Sequence, residues 1–134
     1  MVNFLAVGGA AIASIVLGFI WYGPLFGKQW MSIMGLKPSD MEKMKTGVQT
    51  SYVGGLVSSL VMSYVLALLI EGMNTSAFYG NAYGLALAIW LGFVATVTLG
   101  GVLWENKPWH WWLLNNGYQL LSLLLMAGIL VSFP

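Results

Sequence analysis

Residues 77–103 read AFYGNAYGLALAIWLGFVATVTLGGVL, with no Asp, Glu, Lys or Arg among them. A helix that crosses a bilayer needs about 20 mostly apolar residues, and this run exceeds that. Its apolar positions are continuous rather than alternating, which excludes the strands of a membrane β-barrel. In hydrocarbon the backbone must satisfy its own hydrogen bonds within the segment, so the run is a helix. Working outward, three more stretches have the same character: roughly residues 3–22, 48–70 and 109–133. The expectation is an all-α polytopic membrane protein, a single domain over residues 1–134 with four transmembrane helices.

Composition agrees. The chain is 59% hydrophobic and 7% charged, against about 25% charged in a soluble domain. Such a chain cannot clothe a water-facing surface, so its surroundings are the lipid bilayer. The net charge of +1 and the absence of any basic run exclude a nucleic-acid partner. There is no Cys, which removes disulfides, thiolate metal sites and cysteine nucleophiles. All basic side chains are lysines, so guanidinium clamps are absent as well. No positive residue precedes the first apolar run, so it reads as helix one rather than a secretory signal.

Lysines orient membrane proteins, because they remain on the cytoplasmic side. Lys28, Lys37, Lys43 and Lys45 lie between helices one and two, and Lys107 lies between helices three and four. With four spans these loops share one face, so both termini are expected outside. Trp21, Trp30, Trp104, Trp109, Trp111 and Trp112 cluster toward that same face, as interfacial indoles do. His110 stands among them. It is either a group that takes up a proton or, more simply, a headgroup anchor.

The first loop carries order of its own. Pro24 is expected to end helix one. Phe26, Trp30, Ile33 and Met34 then recur at helical spacing around Lys28, Gln29 and Ser32, and Gly35 closes the turn. This is a short cytoplasmic amphipathic helix lying at the interface. Ser39 and Glu42 form a capping box, so helix two starts near Asp40, with Gly47 as a weak point.

Small residues repeat at every fourth position. Helix three carries Gly80, Gly84, Ala88, Gly92, Thr96 and Gly100; helix two carries Ser51, Gly55, Ser59 and Ser63; helix one carries Ala6, Ala10, Ser14 and Gly18. Such stripes allow backbones to approach closely and drive helix association in lipid. Helix four differs, because Asn115, Asn116, Gln119 and Ser122 gather on one side. Amides in hydrocarbon are costly unless hydrogen-bonded, so they face other helices or water. Either they line a solute path, or they bond to helix-two serines such as Ser59 and Ser63.

Other features carry less. Glu71 and Glu105 lie at opposite faces and are either cation attractors or hydrated helix ends. Met31 with Met34, and Met41 with Met44, recur at helical spacing. Thioethers bind Cu(I), but such methionines are ordinarily packing groups, so no metal or other cofactor is expected. No catalytic motif is present, and Glu105, His110 and Tyr118 have no spacing that makes a catalytic set.

Residues 21–31, WYGPLFGKQWM, resemble the Trp-Tyr-x-Pro…Phe-Gly-Lys-x-Trp signature of a bacterial family of small four-helix membrane proteins of unknown function. Residues 92–96 and 115–118 are similar to its later blocks, and Lys107 stands where the family often has a basic residue. The resemblance implies four spans and a bacterial inner-membrane location, and it implies no activity. Small multidrug exporters fit less well, since they place a Glu in a first helix that here is uncharged. The expected function is a homo-oligomeric channel or transporter for a small solute. The alternative is a non-catalytic accessory or structural subunit of a larger membrane complex. A membrane enzyme acting on a lipid-like substrate comes third.

The orientation has a direct test. Single cysteines replacing Lys43 and Ser76 are treated with an impermeant thiol reagent in intact cells. Position 76 is expected to label and position 43 to stay protected; the reverse pattern would invert the topology.

Overall fold

A computed structural model describes residues 2–35, 48–72 and 82–133. The first helix, α1 (Phe4–Ile20), begins at Asn3, whose side-chain oxygen accepts from the amides of Leu5 at 3.1 Å and Ala6 at 3.3 Å. Those are orphan donors of the first turn, so the cap lowers the cost of starting a helix in lipid. The Asn3 amide nitrogen donates to the Phe133 carbonyl at 3.0 Å.

Regular helix one ends just before Pro24, as expected, at a kink on Gly23. The chain continues as a wide π turn over Trp21–Leu25, in which the Phe26 amide reaches back to the Trp21 carbonyl at 2.9 Å. The bend falls on Gly23, at φ −107° and ψ −108°, because a proline pushes the residue before it out of the helical region. The short helix α2 (Gly27–Met34) follows, closed by Gly35 at φ 69°. That left-handed conformation suits glycine, which has no Cβ to clash. Ring contacts of 4.6 Å between Trp21 and Phe26 and 5.7 Å between Tyr22 and Trp30 hold α2 against the end of the first span. The expected capping box at Ser39 and the weak point at Gly47 lie outside the described residues.

The second span is α3 (Val48–Gly72). The third is composite: α4 (Ala82–Ile89), a π turn over Trp90–Ala95, then α5 (Thr96–Trp104). The fourth is α6 (Trp109–Ser132). Four helices are long and apolar enough to cross a membrane, and no strand occurs among the described residues. The protein is therefore an all-α polytopic membrane protein.

The helices do not form a closed square. α1 packs against both α3 and α6, and α6 also carries the third span, whereas α3 and α4 barely meet. The core runs along this central pair, from Ala6 and Ala10 of α1 to Met126 and Ala127 of α6, with Leu66 of α3 and Ala86 of α4 closing it.

The helix-three stripe is not a single contact face. A methyl group added at Gly92 or Gly100 would meet nothing within 4 Å. Gly84 and Ala88 are half-buried, and Gly80 lies outside the described residues. A four-residue step overshoots one helical turn, so five steps drift by about 200° around the axis. The π turn shifts the register further. Gly18, Gly117 and Gly128 make room for aromatic rings. A methyl at Gly117 would lie 3.2 Å from the Trp21 ring, one at Gly18 3.1 Å from the Tyr118 hydroxyl, and one at Gly128 3.0 Å from that of Tyr83.

Two alanine substitutions separate tight from open glycines. A Cβ at Gly27 would sit 2.7 Å from the backbone carbonyl of Tyr22. Gly27→Ala should therefore destabilise the fold by about 1–3 kcal/mol through forced backbone movement. Gly92→Ala should be neutral, or stabilising by up to about 1 kcal/mol through helix propensity. Thermal unfolding in detergent reads both, and equal behaviour would refute the assignment.

Candidate functional site

The helix-four amides were the leading candidates for a solute path, and α6 does bring them onto its inward side. Two of the three amides are closed by the chain's own groups. Asn115 accepts from the Tyr22 hydroxyl at 2.6 Å and donates to the Trp111 carbonyl at 2.9 Å. Asn116, only 1% exposed, lies 2.9 Å from the Thr98 hydroxyl and donates to the Trp112 carbonyl at 2.9 Å. Ser122 is buried and hydrogen-bonds to Ser14 of α1. Tyr118, one turn earlier, donates to the Ser14 carbonyl at 2.9 Å. Asn115, Asn116, Tyr118 and Ser122 thus each meet a partner on another helix or one turn back on their own.

These partners differ from the expected ones. Neither Ser59 nor Ser63 of α3 receives an amide. Ser63 is fully buried and donates to the Val7 carbonyl at 2.9 Å, pinning α3 to α1, and Ser59 is half-buried. Gln119 stands apart. It is half-buried between the Asn115–Asn116 turn and Ser122, and no described residue hydrogen-bonds its amide.

The π turn of the third span belongs to the same network. Its carbonyls accept side-chain donors: Gly92 from Thr96 at 2.7 Å, Val94 from Thr98 at 2.7 Å, and Ala95 from the Trp112 indole at 3.2 Å. Widened turns weaken the regular ladder and leave carbonyls open to such donors. The Trp90 indole crosses to the Asn116 carbonyl at 2.8 Å. Trp21 does the same from the first span, donating to the Leu114 carbonyl at 3.0 Å. Trp21 is thus an interhelical strut as well as a residue near the membrane boundary. Sequence reasoning placed Trp21 and Trp112 at the interface and gave no role to Trp90 or Tyr22. The missed clue is that buried Trp and Tyr carry one donor each and seek an acceptor.

At the lysine-bearing end the predicted interface residues sit apart. Trp109 and His110 are exposed at the start of α6, and Trp30 is half-buried against Tyr22. Between α2 and the start of α6 lies a shallow groove lined by Lys28, Gln29, Ser32, Ile33 and His110. Lys107 lies elsewhere, 6.0 Å over the Trp111 ring. Glu105 is exposed beyond α5, and Tyr118 lies about 12 Å along α6 from His110. The conceivable set of Glu105, His110 and Tyr118 is therefore not assembled. Among the described residues no group of His, Asp or Glu could hold a metal ion.

The family model described as "Protein of unknown function (DUF1761)" matches residues 5–131. No curated protein and no solved structure matches.

The network ranks two amides. Asn116→Leu should lower stability by about 1–2 kcal/mol, because the polar contact between Asn116 and Thr98 that joins α6 to the third span is removed and the packing must adjust. Gln119→Leu should leave the unfolding temperature unchanged or raise it. Detergent melts of both variants give the order, and a larger loss at Gln119 would contradict it.

Proposed function

The chain belongs to the family described as Protein of unknown function (DUF1761), and we propose that it is a non-catalytic membrane subunit that works by assembling with other transmembrane helices. One observation carries this reading. Every residue over 53–58 of α3 is exposed, all the way round the helix, although the segment lies inside the second span. It includes Gly54 and Gly55, where an added methyl would meet nothing within 4 Å. A bare helix with two adjacent glycines offers another backbone a close approach. The closed amides of α6 support the same reading, since a path through one protomer would need polar groups that are free. The lysines of two loops on one side favour that face as cytoplasmic, with both termini outside. The resemblance favours a bacterial inner membrane.

A second reading is a homo-oligomeric path for a small solute. It is supported by Gln119, whose amide has no partner among the described residues, and by half-buried Ser59.

The two readings separate in one experiment. A cysteine replacing Gly55 is crosslinked in native membranes, and the purified protein is reconstituted for flux of ions and small neutral solutes. Assembly predicts a crosslinked species, loss of that species in Gly55→Leu without a change in protomer stability, and no flux. A protein that is monomeric in native membranes overturns the assembly reading. Flux that falls in Gln119→Leu while assembly persists establishes the second reading instead.

A further inference from the structure

The groove between α2 and the start of α6 gathers polar side chains that the buried network does not use. Its volume is ≈ 440 Å³, and its wall is made by Lys28, Gln29, Ser32, Ile33 and His110. We propose that this groove binds the phosphate of an anionic phospholipid headgroup.

The chemistry of the wall is one-sided. Lys28 supplies a fixed positive charge, and Gln29, Ser32 and His110 can each donate a hydrogen bond. Among the described residues no carboxylate lines the groove. Of the two described acidic residues, Glu105 is exposed in the turn after α5 and Glu71 is near the far end of α3. Lys107 lies against the Trp111 ring rather than in the groove. The start of α6 adds the positive end of a long helix, which favours an anion further.

Height selects the ligand. Lys28 follows the end of the first span, Phe4–Leu25, by three residues, and His110 is the second residue of the fourth span, Trp109–Ser132. Both therefore stand where hydrocarbon gives way to headgroups, the level at which lipid phosphates lie. Trp30 and Trp109 are the chain neighbours of Gln29 and His110, and indoles favour that level of the membrane. Ile33 gives the groove an apolar side. Leu113, three residues below His110 and on the same side of α6, is exposed and continues that surface into the membrane. A ligand with an anionic head and an apolar tail matches both halves, whereas a free phosphate matches only the first.

The test uses the full-length protein in detergent, titrated with an equimolar mixture of dioleoyl phosphatidylglycerol and dioleoyl phosphatidylcholine. Bound lipids are counted by native mass spectrometry. A juxtamembrane lysine favours an anionic lipid by about fivefold. The wild type should retain phosphatidylglycerol by about that factor, Lys28→Gln should bring the two lipids near parity, and Lys28→Arg should keep the preference. Lys107→Gln, outside the groove, should behave as wild type. Equal loss in Lys107→Gln and Lys28→Gln would reduce the effect to diffuse surface charge and overturn the site. So would an unchanged preference in Lys28→Gln combined with His110→Gln. Displacement of the lipid by equimolar glycerol 3-phosphate would make the ligand a soluble phosphate and overturn the lipid assignment. Lys28 and His110 are exposed, so a helical circular dichroism spectrum should be retained in each variant and a folding failure would be visible. None of these outcomes depends on whether α3 assembles with a partner.

Discussion

Bringing polar groups into hydrocarbon without a partner is the constraint on which the rest of this structure depends. α6 carries Asn115, Asn116, Tyr118 and Ser122 into the membrane, and each is met by another helix. Those meetings select the neighbours. Ser14 receives the serine and the tyrosine, which fixes α1 beside α6; Thr98 and Trp90 meet the Asn116 turn, which fixes the third span on the other side. α3 has no bond to these amides and is pinned to α1 instead, at Ser63 and Val7. The weak contact between α3 and α4 follows from the same distribution. Apolar burial cannot drive this choice alone, because lipid tails are as apolar as leucine.

The two π turns occur where the chain makes its least regular contacts. In the first span the cause is Pro24, which cannot donate and which displaces Gly23 from helical geometry. In the third span no proline is involved. Thr96, Thr98 and Trp112 place donors on carbonyls of the widened segment, so its hydrogen bonding is completed by side chains. That widening adds to the drift of the small-residue stripe, in which Gly92 and Gly100 meet no neighbour. A repeat of four residues holds its side only approximately on a regular α-helix, and less so across a turn of larger radius.

Much of the architecture was legible in the sequence. The four spans followed from uncharged apolar runs, the short α2 from its amphipathic spacing, and its end from Gly35. The break in the first span was legible too, since helical geometry is lost at Gly23, just before Pro24. The candidate site was half legible. That the amides of α6 must be paired or wet followed from desolvation cost. Which groups pair with them did not, since Tyr22 and Thr98 are separated from Asn115 and Asn116 by large and unrelated stretches of chain. The anionic-lipid groove was illegible for the same reason. Lys28 and His110 become neighbours only when α2 folds back toward the start of α6.

The sequence by itself determined that this is an all-helical membrane protein, where its spans lie, and that polar groups would have to be accommodated inside them. These are properties of single segments, decided by hydrophobicity over one helix length and by the need of each backbone to bond within itself. The tertiary structure decided the rest: α1 and α6 form the central pair, Asn115, Asn116, Tyr118 and Ser122 of α6 are bonded within the chain while Gln119 has no partner among the described residues, and residues 53–58 are exposed. Those outcomes depend on the rotation of each helix about its axis and on which neighbour presents a donor at the right depth. A hydrogen bond spans about 3 Å and requires both ends in place, so it is a property of pairs of helices rather than of either sequence alone.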